Sequence, residues 1–156
     1  MTNLADIIDA HAVLPSVKAQ SKKQLLQELS QAAAKIVDVD HRVIFETLLT
    51  REKLGSTGIG QGIAIPHGKL PGISRVNGLF ARLATPIPYD SLDGQPVDLV
   101  FVLLAPDHAG ADHLKALARI SRLLRENDTI TKLRGTDTAE GLYSILTQPS
   151  ATASAA

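Results

Sequence analysis

From residue 21 onward the apolar positions fall at helical spacing. Leu25, Leu29, Ala32 or Ala33, and Ile36 recur every third or fourth place, which lays one buried stripe along a helix, and Ser21 with Gln24 makes the S-x-x-Q box that caps its start. A second helix follows. Asp40 is placed to cap it, Ile44/Leu48 and Phe45/Leu49 pair at i,i+4, and Gly55 supplies a stop, so it ends near Lys53. Past Gly55 the period changes. Ile63-Ala64-Ile65-Pro66 reads as a short strand closed by proline, with His67 at its carboxyl end. Val76 to Leu83 is a second strand, and Val97 to Ala105, apolar at almost every place, a third that is covered on both faces. Pro86, Pro88 and Asp93-Gly94 mark a turn-rich connection between them. After the polar loop Asp107 to Ala111, Leu114, Leu117, Ser121 and Leu124 form a helical stripe, with Asp112 as cap and His113 in the first turn. Asn127 is expected to cap a short segment carrying Ile130 and Leu133. Asp137 and Glu140 resemble a cap before Leu142, Ile145 and Leu146.

Helices, then strands, then helices, without a repeat, predict one α/β layered domain over residues 1–148: a mixed β-sheet flanked by α-helices. Residues 149–156 are expected to form a disordered tail. The length of 156 residues suits a single core. Sixteen basic and sixteen acidic side chains cancel, and three Phe, two Tyr and no Trp leave few rings for bases to stack on, so nucleic-acid binding is not expected. No cysteine is present, which removes disulfides, thiolate catalysis and Cys-based metal centres. The longest apolar run, Leu99 to Ala105, falls far short of the roughly 20 residues of a spanning helix. Met1 to Ala12 carries Asp6 and Asp9 and no basic stretch, so neither a signal peptide nor membrane insertion is expected, and the expected location is cytoplasmic.

Chemistry concentrates between Arg51 and Lys69. Gly55, Gly58, Gly60 and Gly62 precede His67, and Gly68 follows it. Glycines permit close backbone approach, so the amides of Gly58, Gly60 and Gly62, with the hydroxyls of Ser56 and Thr57, are candidates to hold a phosphate-sized anion. The competing reading is a glycine-rich turn that merely joins a helix to a strand. Neither nucleotide motif is present. Gly62 to Gly68 encloses five residues rather than four and Lys69 precedes Leu70, and a G-x-G-x-x-G started at Gly58 or Gly60 ends on Ile63 or Ile65.

A histidine in this setting suggests phosphoryl chemistry without a nucleotide. A neutral imidazole presents an unprotonated nitrogen near pH 7, attacks phosphorus, and forms a P–N bond labile enough to pass the group on. His67, between Pro66 and Gly68, has a rigid strand end and little bulk around it; the alternative is a structural histidine. His113 at a helix N-terminus would favour an anion and could donate a hydrogen bond to it, or simply sit on the surface. Arg51 could neutralise phosphoryl charge, or complement its helix's C-terminal dipole. Asp107-His108 and Asp112-His113 offer no third ligand and no shared helical face, so no metal is expected. No G-x-S-x-G elbow supports a serine hydrolase.

The run Gly55-Ser56-Thr57-Gly58-Ile59-Gly60 with Gly62-Ile63-Ala64-Ile65-Pro66-His67 resembles enzyme IIA of the bacterial phosphoenolpyruvate phosphotransferase system, mannitol/fructose type, over residues 4 to 147. Gln20-Ser21-Lys22-Lys23, Leu49-Thr50-Arg51-Glu52-Lys53 and Gln95-Pro96-Val97-Asp98-Leu99 make it similar to the nitrogen-regulatory branch. The resemblance implies a phosphohistidine carrier without cofactor, a largely regulatory phosphotransferase component. His67 would accept the phosphoryl group, with His113 and Arg51 supporting it. It implies a histidine-containing phosphocarrier protein as donor, and regulatory targets such as potassium-transport proteins or sensor kinases. The alternatives are a sugar-specific IIA that hands the group to a IIB domain, and an interaction module for which phosphorylation is irrelevant.

Overall fold

The computed structural model describes residues 4–148, so the expected tail at 149–156 lies outside the described residues. In chain order the elements are β1 (Ile8–Val17), α1 (Lys22–Val37), α2 (His41–Lys53), β2 (Gly58–Gly60), β3 (Ile63–Ala64) and β4 (His67–Leu70). They continue with β5 (Asn77–Ile87), β6 (Val97–Pro106), α3 (Ala111–Leu123), α4 (Asn127–Arg134) and α5 (Ala139–Thr147). The strands form one mixed sheet in the order β1-β5-β6-β3-β2, with β4 also paired to β6.

The apolar run of β6 is explained by its position. It has β5 antiparallel on one edge and β3 and β4 parallel on the other, and Leu99 through Leu103 are fully buried. Strands walled in on both faces read as continuous hydrophobic stretches rather than alternating ones. The two first helices start as their caps predict. Ser21 Oγ accepts from the Gln24 amide at 3.1 Å and Asp40 Oδ1 from the Arg42 amide at 2.9 Å. Gln24 closes the box one residue early, its Oε1 accepting from the Gln20 amide at 2.8 Å. α2 ends at Lys53.

Four departures from the sequence reading have local causes. β1 is a strand where none was expected: it is an edge strand with irregular register against β5, so it tolerates Pro15 and shows little alternation. β2 was hidden because glycine is depleted in strands, yet Gly58 pairs with Ala64 and Gly60 with Ile63. β5 runs on through Pro86 to Ile87, the proline falling inside an irregular stretch of its pairing with β6. His67 does not close a strand but opens β4, the chain resuming its pairing with β6 after the break at Ile65-Pro66.

The C-terminal helices are shifted relative to their expected caps. Gly110, not Asp112, is the N-cap of α3, and the buried stripe is Ala116, Ile120 and Leu123, continued by Leu124. Leu114 is 65% exposed, because a stripe counted on large side chains alone overlooks Ala116. α4 has Glu126 rather than Asn127 as N-cap, and α5 starts on Thr138, whose hydroxyl accepts from the Gly141 amide at 3.1 Å. The core residues Ile130, Leu133, Leu142 and Leu146 are buried as their spacing predicts.

Packing of α2 on β4 depends on one glycine. A Cβ at Gly68 would stand 2.5 Å from Thr47 Cγ2, on a short β-branched side chain whose hydroxyl is bonded to the Val43 carbonyl at 2.8 Å. Gly68→Ala is therefore expected to push α2 off the strand and destabilise the fold by about 1–3 kcal/mol, read as a lowered denaturation midpoint. An unchanged midpoint would show that the helix yields freely.

Candidate functional site

The close approach of α2 to β4 brings the end of a helix to the start of a strand, and His67 stands at that meeting. In the ladder His67 lies opposite Leu103, whose amide donates to the Pro66 carbonyl at 2.9 Å, so the backbone on both sides of the proline is anchored to the sheet's central strand. The His67 ring turns back on its own chain. Its Nδ1 lies 2.8 Å from the Ile65 carbonyl oxygen, an acceptor only, so Nδ1 carries the proton and donates. That leaves Nε2 with a lone pair. Burial is the main cause holding the His67 pKa below the usual imidazole value, and the Arg51 charge adds to it, against opposing effects of the Ile65 bond and Glu52. The ring is neutral at pH 7 and nucleophilic at Nε2.

His113 comes to the same place from the far end of the chain, in the first turn of α3. The two imidazole centroids are 5.4 Å apart with planes tilted by 47°. Burial, then the proximity of His67 and Lys69, lowers its pKa as well. Its Nε2 is buried and has no hydrogen-bond partner within the chain. Arg51 lies in the last turn of α2, where Nη1 donates to the Gly55 carbonyl at 2.9 Å, and from there its charge acts on His67. Among the described residues no group of three or more His, Cys, Asp or Glu gathers as a metal site would.

The glycine run is placed differently from the two histidines. The Ser56 hydroxyl donates to the Tyr89 carbonyl at 2.9 Å and accepts from the Gly58 amide at 3.1 Å. Thr57 is buried, its hydroxyl donating to Glu52. Both hydroxyls thus serve the loop itself. Gly60 and Gly62, with positive φ of 101° and 80°, form the β2–β3 turn around Gln61. That turn is held by Asp93, which accepts from the Gln61 amide at 2.9 Å, and by Arg134, which donates to the Gln61 carbonyl and to Asp98. His67 lies five positions beyond Gly62 along strands that share β6 as partner, about 16 Å of extended chain. The structure brings His67, His113 and Arg51 together; it does not bring Gly60 and Gly62 to them.

A buried carboxylate beside the site escaped the sequence reading. The Glu52 side chain is 2% exposed and accepts from four donors: the Thr57 amide at 3.0 Å, the Thr57 hydroxyl, the Tyr89 hydroxyl at 3.1 Å and Lys22 Nζ at 2.9 Å. Lys22 Nζ also lies 4.4 Å from the centre of the Tyr89 ring. Burial and the neighbouring carboxylate drive the Tyr89 phenol well above its ordinary pKa, so it stays a donor. The signal was an acidic residue in the last turn of a helix, where the macrodipole opposes it.

A mixed sheet with helices around it thus presents two neutral imidazoles side by side, one at a strand start and one at a helix start. Over residues 6–148 the chain matches the family described as "Phosphoenolpyruvate-dependent sugar phosphotransferase system, EIIA 2", and it belongs to that family of phosphotransferase components. Its kinship within the family lies with the nitrogen regulatory proteins. One from Bradyrhizobium diazoefficiens is 57% identical over 150 residues, covering 96% of this chain and 98% of the relative. Another, from Escherichia coli K12, is 43% identical over 150 residues, with 96% and 92% covered. The crystal structure of nitrogen regulatory protein IIA-Ntr from Neisseria meningitidis superposes with a TM-score of 0.86 at 36% identity, covering 91% of this chain and 97% of that one. No helix among the described residues is long and apolar enough to cross a membrane.

Proposed function

We propose that the chain accepts a phosphoryl group on Nε2 of His67 from a phosphohistidine carrier protein and regulates target proteins according to whether that group is present. The observation that carries this reading is the Nδ1–H bond from His67 to the Ile65 carbonyl at 2.8 Å, which dedicates Nε2 of a neutral ring to attack. In the transfer, the Nε2 lone pair forms the new N–P bond while the N–P bond to the donor histidine breaks. The donor ring keeps the electron pair of the broken bond, and His67 retains its Nδ1 proton, so no base is required. Catalysis then consists of positioning and of stabilising charge on the phosphoryl oxygens. His113 Nε2 and the Arg51 guanidinium are the groups assigned to those oxygens.

Phosphorylation adds about −1.5 to −2 charges at one spot of an otherwise charge-balanced surface, enough to bias a partner's binding equilibrium. Membership of a phosphotransferase system makes other protein components of that system the donors. Kinship with nitrogen regulatory proteins favours regulation over handing the group to a IIB domain, and the targets we expect are potassium-transport proteins or sensor kinases. The test is incubation with an energised histidine phosphocarrier, followed by intact-mass spectrometry. One acid-labile phosphoryl group should be gained. No gain, or a gain stable to acid, would overturn the reading.

A further inference from the structure

We propose that Glu52 is a positioning residue for His67: through a chain of hydrogen bonds it fixes the ring's orientation and tautomer, and so sets the rate of phosphoryl acceptance. The proposal rests on the reading of His67 as the acceptor. The chain is continuous. Glu52 Oε1 accepts from the Thr57 amide at 3.0 Å and Oε2 from the Thr57 hydroxyl, so both ends of the carboxylate grip one residue. The Thr57 carbonyl accepts from the Ile65 amide at 3.0 Å. The Ile65 carbonyl in turn accepts from His67 Nδ1 at 2.8 Å. Where Thr57 sits therefore decides where the oxygen that orients the imidazole sits.

The carboxylate is itself held from two further directions, by Lys22 at the start of α1 and by the Tyr89 hydroxyl from the segment before β6. Stability alone is a poor reason for this arrangement. A buried ion pair is commonly matched or exceeded by apolar packing, and an acid in a helix's last turn opposes the dipole. What a carboxylate provides, and an apolar side chain does not, is a fixed set of acceptors for two donors on the same residue. Glu52 itself is buried; its charge opposes the lowering of the His67 pKa, while its hold on the ring's orientation passes through the backbone of Thr57 and Ile65.

The decisive experiment compares the whole chain with its Glu52→Gln and Tyr89→Phe variants. Two-bond 1H–15N correlation spectra at pH 8 read the His67 tautomer, and steady-state phosphorylation by the carrier gives kcat and KM. Glu52→Gln is expected to lower the Nδ1–H fraction of His67 and to cut kcat about 10-fold while leaving KM for the carrier unchanged. Tyr89→Phe, which removes one donor to the carboxylate, should shift both readouts in the same direction by about 2- to 3-fold in kcat. A merely structural role would lower the melting temperature without moving the tautomer. Wild-type tautomer and kcat in a folded Glu52→Gln chain overturn the proposal. If that variant does not fold, wild-type values for Tyr89→Phe do so. Should the wild-type chain accept no phosphoryl group while Glu52→Gln still shifts the tautomer, the acceptor reading fails and the hold of Glu52 on the ring stands.

Discussion

With His67 replaced by alanine, the chain is expected to gain no phosphoryl group from an energised carrier while remaining folded. The fold should survive because His67 is only partly buried and its side chain makes a single hydrogen bond, to Ile65. Losing that bond costs about 1 kcal/mol, a small shift in melting temperature. Transfer should be lost outright because the second imidazole is badly placed to substitute: His113 Nε2 is buried, and an in-line approach by the donor's phosphorus would need it exposed. The pH profile of the wild-type chain supplies a second check. Because burial lowers the His67 pKa, Nε2 keeps its lone pair as pH falls through 6.5, and the acceptance rate should begin to fall only below that value. The linkage has a definite sign. The folded chain binds the His67 proton less readily than the unfolded chain does, so this group favours the fold above the unfolded pKa, and stability declines as pH drops below about 6.5. In the His67→Ala variant that part of the decline should vanish. A stable phosphoadduct on the alanine variant would move the acceptor elsewhere and refute the assignment.

How much of this was legible beforehand varies with the distance over which each interaction acts. The start of α1 at Ser21, that of α2 at Asp40 and the end of α2 at Lys53 follow from contacts within four residues, and the buried character of β6 from its own side chains. His67 and His113 were legible as chemistry, since a histidine between proline and glycine and one at a helix start are local features. Their meeting at 5.4 Å was not, because they lie 46 positions apart and only the parallel pairing of β4 with β6, followed by α3, closes the gap. The glycines gave less: Gly68, read as leaving little bulk around the ring, is also where α2 presses on the sheet, and Gly60 and Gly62, read as candidates to hold an anion, make a tight turn tied to Asp93 and Arg134. Ser56 and Thr57 carry hydroxyls suited to an anion, yet tertiary contacts with Tyr89 and Glu52 engage them. A donor's chemistry can be read from one residue, but its partner is set by the fold.

Removing the second imidazole should slow the reaction without abolishing it. His113→Ala is expected to cut kcat for phosphoryl acceptance about 100-fold, equivalent to about 2.7 kcal/mol of transition-state stabilisation, while carrier affinity stays near wild type. The reason lies in the unpaired state of its Nε2. A buried polar nitrogen without a partner costs about 1–3 kcal/mol in the resting chain. Such a nitrogen, in the first turn of α3 with its ring centre 5.4 Å from that of the acceptor, is already desolvated before phosphorus arrives, and in the Nε2–H tautomer it is a donor. A hydrogen bond to a phosphoryl oxygen would relieve the cost, and it strengthens as negative charge builds on that oxygen in transit. This is the difference between ground state and transition state that lowers a barrier. Truncation to alanine removes the unpaired nitrogen together with the donor, so the melting temperature should hold or rise even as kcat falls. Opposite movements of stability and rate separate a catalytic donor from a packing residue, which would lose both. His113→Gln, with an amide able to donate from a similar place, should recover part of the rate. Equal kcat for wild type and His113→Ala would show that the neighbouring ring takes no part in the transfer.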